Sequence, residues 1–206
     1  MLLILALSAA VSAAWLFRDE LLRAVRPKVV KVREALTDED TGRPTPESLR
    51  AARDRIDSLH GWSLDSIGLR RAELASLLLA GMPEGNKAYF DSVEVVAGGD
   101  GLTVRARLQL ARVSPSRLGP LAGALEPWEW VTLAGPLRMR RAGRATWQVE
   151  VMSLRSFDLP AGTSRDLVAA ALPEADHGAI EFRLPDGVAG MEIRPGGAMV
   201  FRKEAR

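Results

Sequence analysis

Cysteine is absent from the 206-residue chain. Structural disulfides and thiolate chemistry are therefore excluded, and cysteine usage says nothing about compartment. Histidine occurs twice, as His60 and His177. Two isolated imidazoles make neither a metal site nor an evident general base. Lysine is scarce, with four residues against 24 arginines. That bias fits GC-rich coding more simply than recognition, because acids interrupt the basic stretches. The net charge of +2 is too small to imply a nucleic-acid partner. The five tryptophans do not alternate with a basic stripe, as base-stacking platforms would. There is no G-x-S-x-G elbow, no phosphate-binding G-x-x-x-x-G-K, no dinucleotide fingerprint and no H-E-x-x-H. Asp38, Glu39 and Asp40 resemble the start of a calcium loop. With Gly42 at the sixth position, however, Thr37 falls first and Ser48 falls where a bidentate acid is needed. The expectation is a chain that is not an enzyme and that carries no cofactor and no metal.

What is present begins with Leu2–Phe17, sixteen residues without a charge. A spanning helix needs about 20 apolar residues, with about 17 as a lower limit. The run reads as a short membrane anchor or as a signal-peptide core with Ser12-Ala13-Ala14 as a small-residue cleavage site. Residues 18–44 follow as a basic juxtamembrane helix, broken by Pro27, and a linker. The basic residues behind the apolar run would by the positive-inside rule favour the cytoplasm. The order of a short anchor before a β-rich domain favours the extracytoplasmic side of an inner membrane, and that side is the expectation. Residues 45–206 make the folded domain.

That domain is organised around Asp100–Arg112. Leu102, Val104, Ala106, Leu108 and Leu110 alternate with Thr103, Arg105, Arg107 and Gln109. Strict alternation is the mark of a half-buried antiparallel strand. Tyr89–Val96 precedes it, and the glycines of Ala97–Gly101 suit a hairpin loop between the two. Trp128–Arg141 reads as a further strand interrupted at Gly135-Pro136, where proline cannot donate to a ladder. In Arg144–Leu159 the apolar phase flips at Met152 and Leu154 and flips back at Phe157 and Leu159, which marks bulges or a sheet that twists from one core to another. Two hairpin strands close the chain around Met191 and Met199. The fold class expected is α+β: a strongly curved antiparallel sheet of about seven strands, wrapped on one or two helices.

Thr45-Pro46-Glu47 starts a helix with a hydroxyl cap, and Leu49, Ala52, Ile56 and Leu59 give it one apolar stripe. Arg70–Ala80 is a second helix, apolar enough to need cover on most sides. Its Glu73 reads as a solvated flank near Arg70. Arg117–Leu125 can form a short helix, and Thr163–Ala171 a longer one capped through Thr163 and Asp166. Trp128 and Trp130 share the strand face opposite Val131 and Leu133, a candidate membrane or partner contact.

The order of these elements resembles a family. Arg71–Leu78, Asp91–Leu110, Val131–Pro160 and Ile180–Phe201 carry E-L near a helix start, G-P-L within a strand, D-L-P at a strand end and L-P-D-G-V before the last hairpin. Together they are similar to the tubular lipid-binding (TULIP-like) proteins and the membrane-anchored bacterial envelope proteins near them. The resemblance covers about Ser66–Phe201. It implies a curved sheet on a helix with an apolar groove between, and it brings no catalytic residues. The groove expected would be lined by Leu74, Leu77 and Leu78 from the helix, Leu102, Val104 and Leu108 from the strand, and Phe182. Its ligand would be an acyl chain or another apolar molecule. The rival expectation is a tethered scaffold with a filled core, binding an envelope protein rather than a lipid.

Overall fold

A computed structural model describes residues 41–61, 64–98, 101–111, 113, 123, 125–155 and 157–202. The chain divides into two units, Met1–Glu39 and Asp40–Arg206, and all described residues belong to the second. The apolar run Leu2–Phe17, the basic stretch behind it and most of the expected helix at Arg117–Leu125 lie outside the described residues.

The first helix, α1 (Pro46–Gly61), begins where the cap chemistry places it. Ser48 N–H donates to Thr45 Oγ1 at 3.1 Å, satisfying one of the amides that a helix start leaves open. The stripe Ala52, Ile56 and Leu59 is fully buried. A short strand, β1 (Ser66–Arg70), leads directly into α2 (Arg71–Gly81). A one-turn helix, α3 (Glu84–Lys87), follows Pro83.

The central hairpin is β2 (Phe90–Gly98) with β3 (Gly101–Gln109). Every second residue of β3 from Leu102 to Leu108 is buried, as the alternation predicts. A bulge separates Asp91 from Glu94 in β2, with Ser92 in the left-handed region at φ 54°. The strands that follow are β4 (Trp128–Gly135), β5 (Leu137–Arg141), β6 (Arg144–Gln148), β7 (Val151–Leu154) and β8 (Phe157–Asp158). Helix α4 (Ala161–Ala171) precedes β9 (Ala179–Arg183), β10 (Gly190–Arg194) and β11 (Gly197–Phe201).

The fold is thus α+β and antiparallel, with four helices among the described residues. The strand number differs from expectation: eleven strands are described rather than about seven. The reason is local. Gly135-Pro136 cuts one expected strand into β4 and β5, the phase flip cuts another into β6, β7 and β8, and the short β1 is a further strand. Three sheets result, ordered β2-β3-β4-β7-β8, β5-β6-β9 and β1-β11-β10. The third sheet joins the first described strand to the last, with Ser66 opposite Phe201.

The first two sheets share one long hairpin. Ala134 faces Val151 and Leu137 faces Trp147, so Gly135 and Pro136 lie opposite Gln148, Val149 and Glu150. Two residues against three is a bulge, and it accounts for the phase flip at Met152. The backbone stays tied across it: Gln148 N–H donates to Pro136 O at 3.0 Å and Glu150 N–H to Ala134 O at 2.9 Å. A Cβ on Gly135 would stand 1.8 Å from Gln148 O, so only glycine allows this approach. Trp147, wholly buried, donates its indole N–H to Gly135 O at 3.2 Å.

Helix α4 starts two residues before the predicted cap. Proline and alanine open it, and no side chain caps it. Thr163 and Asp166 are exposed. Ser164 makes the connection instead: its hydroxyl accepts Met152 N–H at 3.1 Å and donates to Pro160 O at 3.1 Å. The helix is thereby pinned to β7.

Candidate functional site

Helix α2 is at the centre of the core. It packs against α1 and touches β1, β2, β9 and β11. Leu74, Ala75, Leu77 and Leu78 are buried, which is the cover its apolar sequence requires. Glu73 differs from the solvated residue expected. It is buried, accepting Arg70 N–H at 2.9 Å and Arg55 Nε–H at 3.1 Å. The first bond closes the helix start, and the second ties α2 to α1.

The seven residues expected to line an apolar groove all lie in one hydrophobic core. Leu78, Leu102, Val104 and Phe182 converge on a void that also touches Phe90 and Trp147. Leu74 and Leu108 are buried away from it, and Leu77 borders a different cleft. The void measures about 20 Å³, room for roughly one water molecule. Pockets for small ligands usually span about 300–1,000 Å³.

The outer face of the five-stranded sheet carries the second candidate surface. Trp128 is half-buried, while Trp130 is 37% exposed. The Arg105 guanidinium lies 4.5 Å from the Trp130 ring centroid, within cation–π range. Glu94, on the same face, is buried by the arginines around it. Arg43 donates to it at 2.6 and 2.8 Å, and Arg105 stands 3.7 Å away. Val95 N–H also donates to Gly42 O at 2.9 Å. Residues 42 and 43, within the stretch read as linker, are therefore bonded along the free edge of β2.

Sequence reading missed Glu129. It sits in the buried phase of β4 with Val131 and Leu133, directly opposite Leu108. An acid in the apolar phase of an alternating strand was the available signal. Burial pushes its carboxyl up. Hydrogen bonds from Arg155 and from Glu126 N–H, together with the Arg155 charge, outweigh that and hold it below the ordinary carboxylate range.

The third feature is an open cleft of about 670 Å³ beside the end of α2 and the edge of β9. Arg53, Arg144 and Arg183 line it with Glu84, Glu174 and Glu181, over a floor that includes Leu77 and Leu184. Gly81 lets α2 meet β9 there, since a Cβ on it would stand 2.0 Å from Arg183 O. No motif marks this cleft, because its charged residues are scattered from position 53 to position 183.

Among the described residues no group of three or more histidines and acids is placed to hold a metal. His177 is exposed and lies 3.6 Å from Asp176. No helix of the described residues is long and apolar enough to cross a membrane. Comparison of the chain with family models, with curated proteins and with solved structures gives no match.

Proposed function

We propose that this protein is a membrane-tethered interaction module of the bacterial envelope that binds a protein partner, rather than an enzyme. The tether is the apolar run Leu2–Phe17, and the domain stands on the extracytoplasmic side of the inner membrane. The observation that carries this reading is the exposed Trp130 under Arg105 on the outer face of the five-stranded sheet. Aromatic and arginine side chains are enriched where interfaces bury most energy. Trp128, Thr132 and Arg107 lie on the same face and would extend the contact. We take the three sheets as one bent surface wrapped on α2; the hydrogen bonds that cross the Gly135-Pro136 break support this for the first two of them.

The test is site-specific photocrosslinking from position 130 of the full chain in its native membrane. A discrete protein adduct, lost when Arg105→Ala and Trp128→Ala are combined, is expected. Diffuse labelling unaffected by those changes would end the reading.

A second reading keeps the likeness to lipid-binding envelope proteins: an acyl chain enters between α2 and the sheet. It is favoured by the convergence of four of the seven expected groove residues on one apolar void. At about 20 Å³ that void would have to open by more than tenfold. Native mass spectrometry of the gently purified full chain separates the two readings. A bare protein mass supports the interaction module. A retained lipid mass, lost on Leu78→Gln, would move the assignment to the groove.

A further inference from the structure

The outer face of β5-β6-β9 carries arginines in a line. Arg141 lies directly opposite Arg144, and Arg144 directly opposite Arg183. In the next row Arg138 faces Thr146, and Thr146 faces Glu181. Arg140, at the β5 irregularity, reaches the same face and donates to Thr146 Oγ1 at 3.4 Å. Arg138, Arg140, Arg141 and Arg183 are exposed.

Like charges directly opposite one another across antiparallel strands repel and destabilise the pair. Here three guanidinium groups share one cross-strand row. Among the described residues the one ion pair on this face joins Arg144 to Glu181 at 3.5 Å. Asp186 lies beside the hairpin loop, its Oδ1 4.0 Å from where a Cβ on Gly143 would stand. Its turn is bonded to the hairpin tip, with Gly143 N–H donating to Val188 O at 2.8 Å and Leu184 N–H to Gly143 O at 2.9 Å. Asp186 makes no ion pair with the row. A two-residue loop, Ala142-Gly143, holds Arg141 and Arg144 together, and Gly143 supplies the left-handed φ of 71° it requires. The hairpin therefore fixes Arg141 beside Arg144, and the pairing of β6 with β9 adds Arg183.

Arg144 and Arg183 also line the cleft of about 670 Å³, a volume in the range of small-ligand sites. Of its carboxylates, Glu84 is taken by Lys87 at 2.6 Å and Glu181 by Arg144. Glu174 lies against Gly85, on the α3 side. Among the described residues Arg53 and Arg183 form no ion pair. The cleft thus brings arginines, carboxylates and apolar side chains together, with Glu181 beside Arg144. Guanidinium forks match phosphate oxygens in geometry as well as charge.

We propose that the row Arg141–Arg144–Arg183 is a binding site for a phosphate-bearing ligand, whose phosphoryl oxygens bridge guanidinium groups at the mouth of the cleft. The site is separate from the Trp130 surface and stands whether or not that surface binds a partner. A soluble phosphoester and a phospholipid headgroup offer the same chemistry.

The test uses the full chain in uncharged detergent at fixed ionic strength. It is titrated calorimetrically with pyrophosphate, with dihexanoyl phosphatidic acid and with dihexanoyl phosphatidylcholine. Saturable binding is expected, at least tenfold weaker in the Arg144→Gln, Arg183→Gln double variant and unchanged in Arg50→Gln on the exposed face of α1. Binding of pyrophosphate and phosphatidic acid alike identifies a soluble phosphate ligand. Binding of phosphatidic acid alone identifies a headgroup. A second measurement is independent of any ligand: Arg183→Gln should raise the thermal midpoint of the unliganded protein, because it relieves repulsion in the row. The proposal is overturned if no phosphate probe saturates, or if Arg50→Gln weakens binding as much as the double variant does.

Discussion

The Glu129 carboxylate, buried in the core phase of β4, accepts hydrogen bonds from the Arg155 guanidinium at 2.6 and 3.2 Å, across 26 residues of chain. Arg155 holds this position with its backbone in the left-handed region at φ 56°, where a residue with a side chain is uncommon. A turn at this point would ordinarily favour glycine. The ion pair gives a reason for arginine: without it Glu129 would be a buried charge with one remaining donor, Glu126 N–H. Arg155→Gly should therefore lower stability, although it relaxes the backbone. Urea unfolding of the two proteins checks this, and a more stable glycine variant would refute it.

The same pair sets a pH dependence. The folded-state pKa of Glu129 is lowered relative to its ordinary value. A depressed carboxylate contributes stability that is complete above the unfolded pKa and is lost as pH falls through the folded one. The thermal midpoint of the wild-type protein should fall on acidification below about pH 4. Glu129→Gln should be less stable at neutral pH and should show a shallower acid limb. Parallel acid limbs in the two proteins would show that Glu129 does not drive the effect.

Gly135 is predicted to be irreplaceable for steric reasons. A methyl group there meets Gln148 O at 1.8 Å, and the carbonyl of Gly135 is also the acceptor for Trp147. Gly135→Ala must push the bulge apart, at a cost of about 1–3 kcal/mol for an overpacked site. Gly162→Ala, with open space around it, is the control and should be near neutral. Equal denaturation midpoints for the two variants would contradict the close approach.

Ser164, rather than Thr163, should matter to α4. Ser164→Ala leaves the amide of Met152, a fully buried residue, without its acceptor. An unsatisfied buried donor costs about 1–3 kcal/mol. Thr163 is exposed, and its change to alanine should stay within about 0.5 kcal/mol. Denaturant midpoints that rank the two the other way would restore the cap expected from the sequence pattern.

Leu108 lies between Phe90 and Glu129 in neighbouring strands and is fully buried. Its truncation to alanine should cost about 2–5 kcal/mol, the usual range for a core leucine. Val151, 44% exposed on the outer face, should tolerate alanine with little change.

Much of this fold was legible in the chain because its signals are local. Alternation in Gly101–Gln109, the Thr45 cap and the glycine before Pro136 each depend on residues a few positions apart, and each element formed where its pattern lay. The α4 start was misread because a threonine and an acid at capping spacing compete poorly with Ser164, which has a buried amide to satisfy. The candidate sites were less legible. Trp128 and Trp130 could be placed on a face by period alone, but the Arg105 stack depends on β3 lying beside β4.

What the sequence determined by itself was therefore periodic or compositional: which faces are apolar, where turns must fall, and that no cysteine or familiar catalytic motif is present. The tertiary structure alone decided how far the core is filled, since a void of about 20 Å³ is a property of side chains from five separate segments. It also decided that Glu73, Glu94 and Glu129 are buried and paired. The line of arginines across β5, β6 and β9 is of the same kind. Arg183 comes 39 residues after Arg144, and only strand pairing sets their charges side by side.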